Sequence, residues 1–270
     1  MENLQERLNS IQPLNEDYMK RSKLKLDSLT KPVESLGRLE IIAQQYAAVR
    51  EDLNPSIRRK MIFTFAGDHG VVEEGVSAYP REVTVQMVLN MLAGGAAVNV
   101  LARHVNAEVV IVDIGVDHDF EPAEGFVIKK VGYGTKNFTK GPAMTRAEAL
   151  QSIEVGMDLA DKYAERGVNI IGTGEMGIGN TTPSSAILSV FTGLKAEKVT
   201  GRGTGIDDEG LQRKASIIEK AISVNRPDPE DPVDVLAKVG GFEIGGIAGL
   251  IIGCASRRIP VVVDGFISTA

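Results

Sequence analysis

The residues best suited to chemistry cluster in Thr173-Gly-Glu-Met-Gly-Ile-Gly-Asn-Thr-Thr-Pro183. Gly172, Gly174, Gly177 and Gly179 lie between two apolar segments. Val168–Ile171 reads as a buried strand, and Ser184–Phe191 reads as a helix. Glycines let a backbone approach a ligand closely and take positive φ. Thr182 suits the N-cap, and Pro183 suits the first helical position, where a missing N–H costs nothing. A glycine loop feeding a helix N-terminus offers free N–H groups and a positive dipole end to an anion. The loop from Gly174 through Ile178, Asn180 and Thr181 is therefore expected to cradle a phosphate. Glu175 would repel a phosphate, so its carboxylate is expected to face a neutral or cationic part of the ligand.

Other chemistry-bearing residues are scattered along the chain. Asp68-His69, flanked by Gly67 and Gly70, follows an apolar run and suits acid–base work or metal ligation; a loop fixed by their hydrogen bonds is the plainer reading. Ser77 and Gln86 are polar groups near the same strand end. Gly203-Thr204-Gly205 precedes a helix in which Lys214 can reach a phosphate or carboxylate, with Arg213 as its competitor. Asp264 ends a Val-Val-Val run, where it could hold ribose hydroxyls, favour a cationic centre or cap the next helix. Gly172-Thr-Gly174-Glu-Met-Gly177 formally fits G-x-G-x-x-G. The helix begins too late after it, and no second strand ends in an acid at the right distance, so a mononucleotide phosphate fits better than a dinucleotide.

Positioning these residues requires strands alternating with helices. Helices are expected over about 15–28 and 33–50, with Leu36, Leu39, Ile42, Ala43 and Tyr46 on one apolar face. Strands are expected at Arg59–Phe65, Ala107–Asp113, Phe126–Val131, Val168–Ile171 and Val261–Val263. Helices are expected over Arg81–Leu92, Ala96–His104, Thr145–Arg166, about 207–224, from Asp231 to Gly240, and Phe242–Ser256. Thr145-Arg-Ala-Glu148 is a capping box and Gly167 a stop. Continuous apolar strands separated by helices imply a parallel sheet covered on both faces. Ligands of such sheets bind beyond the carboxyl ends of the strands. Asp68-His69, Asp113, the glycine loop, Gly203–Gly205 and Asp264-Gly265 should converge there.

Composition narrows the classes. The chain has 270 residues, a formal net charge of −6 and one cysteine, Cys254. No long Lys/Arg run points to nucleic acid or an anionic membrane surface. A lone cysteine fits a reducing cytoplasm. The N-terminus lacks a secretory pattern, and the apolar run Ile244–Ala255 is too short and glycine-rich to span a bilayer.

Taken together, several stretches resemble the nicotinate-nucleotide:dimethylbenzimidazole phosphoribosyltransferase family. They are Leu29-Thr-Lys-Pro with Ser35-Leu-Gly-Arg-Leu39, Ala66-Gly-Asp-His-Gly-Val-Val72, Gly75-Val-Ser-Ala-Tyr-Pro80 and Val83-Thr-Val-Gln-Met87. They continue in Gly94-Gly-Ala-Ala-Val-Asn99, Gly174–Thr182, Gly203-Thr-Gly-Ile-Asp-Asp208 and Val261-Val-Val-Asp-Gly-Phe266. The resemblance implies a doubly wound parallel α/β domain, Rossmann-like, over residues 56–270. It implies a small helical domain built from the chain ends, with residues 1–55 as its first part. It implies a cytoplasmic homodimer that needs no metal or other cofactor and acts on small molecules. A benzimidazole nitrogen would attack the ribose of nicotinate mononucleotide, giving α-ribazole 5'-phosphate and nicotinate. Glu175 and Asp264 would stabilise the oxocarbenium-like transition state, and Lys214 would act electrostatically. Phosphate would sit on Gly174–Thr182 and Gly203–Gly205. The azole would lie beyond the first strand, near Asp68 and His69, against Ser77 and Gln86.

Family members run on beyond the position of Ala270, and their principal general base is a glutamate in that following segment. No residue here matches it, so the expectation is a chain that binds nicotinate mononucleotide and turns it over poorly. Two other readings are a nucleotide-binding module without catalysis and a metal-dependent phosphohydrolase built on Asp68, His69, Asp113 and Asp264. A bound metal stabilises the native state by mass action. Chelator is accordingly expected to leave the thermal midpoint unchanged; a clear fall, followed by calorimetry, would revive the hydrolase and make Asp68-His69 its first ligands.

Overall fold

The computed structural model describes residues 2–270. The chain opens with α1 (Glu2–Ser10), α2 (Glu16–Asp27) and α3 (Arg38–Arg50), then enters the sheet with β1 (Lys60–Gly67). A 3-10 turn over Gly70–Glu74 leads to α4 (Val83–Leu92), α5 (Ala97–His104), β2 (Ala107–Gly115) and β3 (Phe126–Ile128). Then come α6 (Arg146–Glu165), β4 (Ile170–Met176), α7 (Thr181–Thr192) and α8 (Ala196–Val199). The chain finishes with α9 (Asp208–Asn225), α10 (Pro232–Val239), α11 (Phe242–Ser256), β5 (Val261–Val262) and α12 (Gly265–Thr269).

Among the described residues the strands form one parallel sheet in the order β3-β2-β1-β4-β5. The chain moves outward from β1 to β3, then returns to lay β4 on the other side of β1. The strand order therefore reverses between β1 and β4, the place where such sheets open a crevice at their carboxyl ends. Helices cover both faces, as the continuous apolar strands require. Phe63 and Phe65 point to the face covered by α6 and α11, where Phe63 stacks edge-on with Tyr163 at 4.9 Å. Ala66 and Ile111 point to the other face, against Val88 and Met91 of α4.

Expected elements recur with shifted ends. The capping box at Thr145–Glu148 forms with both reciprocal bonds. Asp207 caps α9 and Asp231 caps α10 through their side chains. Two local expectations differ. Gly172 and Gly174 are strand residues paired with Ile62 and Thr64, so the loop proper is only Gly177–Asn180. Only Gly179 of its glycines has positive φ, at 88°. Asn180, not Thr182, precedes α7, and Pro183 is its third residue; the whole first turn lacks N–H acceptors, so proline is tolerated there.

The N-terminal helices attach by polar contacts and by Leu4 of α1, which packs against the core. Arg7 on α1 binds Asp161 of α6 at 2.5 Å, and Arg50 of α3 donates to the Arg258 carbonyl. The apolar stripe expected on α3 exists but faces outward, with Leu39 65% and Ile42 53% exposed; Ala47 and Ala48 are the apolar residues it buries. Val83–His104 has the length and hydropathy to cross a bilayer, but Gly94, with φ 76°, turns the chain and splits it into α4 and α5.

The tightest packing is between α11 and α6. A Cβ on Gly249 would fall inside the Ile153 carbonyl, and one on Gly156 would meet the Gly246 carbonyl. Gly249→Ala is expected to cost about 3 kcal/mol or more, at the top of the overpacking range, because backbone atoms cannot rotate away. Gly193→Ala, with open space but φ 67°, should cost only about 1–2 kcal/mol. Urea midpoints at unchanged slope measure both; equal losses would contradict the packing argument.

Candidate functional site

The crevice is built where β1 and β4 end side by side. Glu175 is in register with Phe65, and Met176 with Ala66. Beyond them Gly177 turns across the end of β1. A Cβ there would strike the Gly67 carbonyl and come within 3.1 Å of His69 Nε2. This close approach, not a positive φ, is why position 177 is glycine. Gly179 does need its left-handed backbone, and a side chain there would also hit Val72. Ile178 is buried and its N–H donates to Thr84 Oγ1 at 3.1 Å, which fixes the loop to α4. The loop closes on itself through Asn180 N–H to the Gly177 carbonyl and Thr182 N–H to the Gly179 carbonyl.

Glu175 is largely buried beside this loop. Asn180 donates its side-chain amide to Glu175 Oε2 at 2.5 Å instead of capping α7. Burial pushes the Glu175 carboxyl above its ordinary value, against the opposing pull of the Asn180 hydrogen bond; the nearby Glu243 carboxylate pushes the same way as burial. His69 lies behind it, fully enclosed, with Nε2 2.7 Å from Glu243 Oε1. Glu243 sits in the first turn of α11, where an anion is favoured by the helix dipole.

A second cluster lies at the start of α7. Lys214 projects from the inward face of α9, one turn before Ile218, and is fully buried. Its ammonium donates to Thr181 Oγ1 at 2.5 Å and to the Gly201 carbonyl at 3.4 Å. Gly203, with φ 52°, passes so close that a Cβ would sit 2.9 Å from Thr181 Oγ1 and 3.2 Å from Lys214 Nζ. Arg213, the expected competitor, is exposed. Among the described residues Lys214 faces no carboxylate at bonding distance, and burial lowers its pKa to about 8. Ammonium, hydroxyl and glycine backbone meeting at a helix N-terminus are what a phosphate dianion requires. A cavity of about 650 Å³, lined in part by Thr181, Gly201, Gly203 and Phe266, opens beside them. A larger cavity of about 750 Å³ between α1, α6, α7, α10 and α11 is lined mainly by aliphatic side chains. It touches none of the expected site residues, and its apolar wall offers a phosphate nothing.

The remaining expected residues divide. Thr204 Oγ1 is 3.1 Å from Ser77 Oγ and accepts from Ala78 N–H, so the Gly203–Gly205 loop is tied to the segment after the 3-10 turn. Gly205 is open on its side-chain face. Asp264 is exposed at the start of α12; its N–H donates to Thr173 Oγ1, and its charge is felt by Glu175. Asp68 is buried, accepting from Asp117 N–H while Arg81 lies 3.7 Å away. Gln86 is exposed on α4, and its neighbour Thr84 is the residue that reaches the loop. Asp113 does not join the crevice: it accepts from Val116 N–H and pairs with Lys130 at 2.7 Å. Among the described residues no three His, Cys, Asp or Glu side chains are grouped to hold a metal ion, which leaves the hydrolase reading without a ligand set. Sequence reasoning missed Glu243 and Thr84. Glu243 stands in a run of apolar and glycine residues, and that isolation was the available signal.

Lys214 gives a stability prediction. Its folded value lies below its ordinary 10.5, so the charged form is disfavoured in the native state. Below pH 8 both states hold the proton and the burial cost is in full force. Between about 8 and 10.5 the folded chain sheds it first, and stability rises with pH. Lys214→Met should therefore raise the thermal midpoint at pH 7, by roughly 2–4 °C per kcal/mol relieved. The gain should shrink toward pH 10. A lower midpoint for the variant at pH 7 would contradict this account.

Comparison with known proteins supplies the family. A family model described as phosphoribosyltransferase matches residues 11–270. Nicotinate-nucleotide–dimethylbenzimidazole phosphoribosyltransferase of Geobacter sp. (strain M21) is 60% identical over 270 residues, covering 100% of this chain and 77% of that protein. The protein of the same name from Geobacter sulfurreducens is 58% identical over 267 residues, covering 99% and 76%. The crystal structure of CobT from Thermus thermophilus superposes with a TM-score of 0.89 at 41% identity, covering 94% of this chain and 76% of that one. Membership implies small-molecule substrates. The β1–β4 crevice, the glycine turn and the sequence match over the whole chain place it in one family: this chain belongs to the nicotinate-nucleotide–dimethylbenzimidazole phosphoribosyltransferases.

Proposed function

We propose that this chain transfers the phosphoribosyl group of nicotinate mononucleotide to 5,6-dimethylbenzimidazole, giving α-ribazole 5'-phosphate and nicotinate for the lower ligand of cobalamin. The observation that carries the assignment of roles is the meeting of Lys214 Nζ, Thr181 Oγ1 and Gly203 at the first turn of α7. A 5'-phosphate seated there, on Gly177–Thr181 and Gly203–Gly205, restores the Lys214 charge that burial weakens. Asn180 links this turn to Glu175, so the ribose extends from the phosphate toward that carboxylate.

The pyridinium nitrogen takes the bonding pair and becomes the neutral ring nitrogen of nicotinate, so the leaving group needs no proton. Positive charge develops on the ribose ring as the C1'–N bond breaks, and Glu175 stabilises it, with Asp264 adding to the negative field. The azole nitrogen then bonds to C1' from the opposite side, inverting the anomeric centre, and the azole N–H proton is released. Ser77, tied to Thr204, connects the azole side of the crevice to the phosphate loop. Asp68 and His69 shape the floor, and Gln86 stands at the rim. Residues 1–55 form the first part of a small domain. A cytoplasmic homodimer fits this reading; Leu89, Leu101 and Val105 on α4–α5 and Leu39 and Ile42 on α3 are exposed apolar groups suited to self-association.

Calorimetric titration with nicotinate mononucleotide tests the phosphate seat. Lys214→Met should weaken binding about 10-fold to 100-fold, the worth of a hydrogen bond to a charged group. Glu175→Gln should leave binding nearly intact and lower the rate of α-ribazole phosphate formation about 10²-fold or more. The native rate should fall on acidification with a midpoint above the ordinary 4.5, since Glu175 must be ionised to act. Unchanged affinity in the first variant, or an unchanged rate in the second, would overturn the corresponding role.

A further inference from the structure

His69 and Glu243 form a buried hydrogen-bonded pair to which the transfer reaction, as derived above, assigns no charge. Nε2 and Oε1 are 2.7 Å apart, and both side chains are shut off from solvent. Three backbone segments press around them. A Cβ on Gly241 would sit 2.5 Å from His69 Cε1 and 2.6 Å from Glu243 Oε2, one on Gly67 would sit 3.2 Å from Glu243 Oε2, and Gly177 covers His69 Nε2. The pair is not a fully satisfied structural lock. Among the described residues His69 Nδ1 and Glu243 Oε2 are both buried without a hydrogen-bond partner. Each such orphan costs about 1–3 kcal/mol, and a buried ion pair is seldom a net source of stability.

The pair stands directly behind Glu175. Glu175 is in register with Phe65 on the parallel neighbour, so both side chains leave the same face of the sheet. Phe65 faces Gly246 of α11, the helix that carries Glu243. The ionisable groups around the imidazole are Glu243 from α11, Asp68 from the end of β1 and Glu175 from β4; Asp264 faces Glu175 from the start of α12. Asp68 already has the Asp117 N–H and Arg81. That leaves Glu175, partly exposed, and Glu243, fully buried, as two carboxylates close enough for one to disfavour the charge of the other. Like charges so placed disfavour each other's ionisation, and a cation beside them relieves that cost.

We propose that Glu243 holds a proton on His69, and that the resulting imidazolium is the fixed counter-charge that lets Glu175 carry its negative charge beside the ribose. His69 and Glu243 are positioning residues here: they act through Glu175, and the proposal rests on the role given to Glu175 above. The electrostatics run the same way. Burial alone would lower the His69 pKa, but Glu243 overrides it and holds the imidazole above its ordinary 6.5. His69 in turn draws the Glu175 carboxyl downward, against the burial that raises it.

The test reads the charges directly by NMR on the 270-residue chain, with carbon-13 in histidine and in the glutamate carboxyls. In the native chain the His69 imidazole should titrate above its ordinary value. In Glu243→Gln its midpoint should fall by at least one pH unit, a tenfold loss of proton affinity. In His69→Asn the Glu175 midpoint should rise by at least one unit, and the double variant His69→Asn/Glu243→Gln should bring it part of the way back. A purely structural pair would move neither midpoint in this pattern. A neutral His69 in the native chain at pH 6, or a Glu175 midpoint unmoved in His69→Asn, would overturn the proposal. If His69→Asn does not fold, the native chain and Glu243→Gln still decide it through the imidazole. If the midpoints move as stated while Glu175→Gln transfers phosphoribose at the native rate, the charge arrangement holds and the role of Glu175 in transfer is what fails.

Discussion

The backbone of α11 lies closer to α6 and to the sheet than any side chain would permit, and the site depends on that approach. Gly249 rests on the Ile153 carbonyl, Gly246 on the Phe65 ring and Gly253 on Ala160. Each contact excludes a methyl group. The benefit is positional: the first turn of α11 is carried over the ends of β1 and β4, and Glu243 arrives at His69. A looser helix would leave a buried histidine without its acid and Glu175 without a counter-charge. Packing of this density has few alternatives, so small changes are felt at once.

The site separates two electrostatic tasks that conflict. A phosphate needs positive charge, and an oxocarbenium-like centre needs negative charge. In the proposed reading, Lys214, Thr181 and the start of α7 supply the first at one end of the glycine turn. In the same reading Glu175, with Asp264 nearby, supplies the second at the other. Asn180 stands between them, bonded to Glu175 and forming the entry to α7. The turn is short because Gly172 and Gly174 belong to β4, so the carboxylate is held by the strand and the phosphate seat by the helix. Both sit on regular structure, which holds side chains more firmly than a loop would.

Much of this architecture is legible in the sequence. Capping residues Thr145, Asp207 and Asp231 mark helix starts that form as expected, because a cap is a local hydrogen bond between a side chain and backbone two or three residues away. Continuous apolar runs announce the parallel strands. The limits are equally physical. Gly172 and Gly174 suggest a loop by type, yet sheet pairing with Ile62 and Thr64 makes them strand. Thr182 suggests a cap, yet α7 starts earlier and leaves its hydroxyl without a partner in the core. The stripe on α3 has helical spacing, but spacing says nothing about what will cover it, and Leu39 and Ile42 face outward.

By itself the sequence determined the alternation of elements, the family and the residue types able to bind a phosphate and stabilise a cation, since these follow from local propensity and from motifs contiguous in the chain. Tertiary structure alone decided which of those residues meet. Asp113, equally a carboxylate at a strand end, is neutralised by Lys130 and taken out of the crevice. Glu243, 174 residues from His69, becomes its partner because a glycine face lets α11 settle onto the sheet. Lys214 is selected over Arg213 by one step of helical rotation, which buries the first and exposes the second. Proximity across long sequence separations is set by packing, and packing is a property of the whole folded chain.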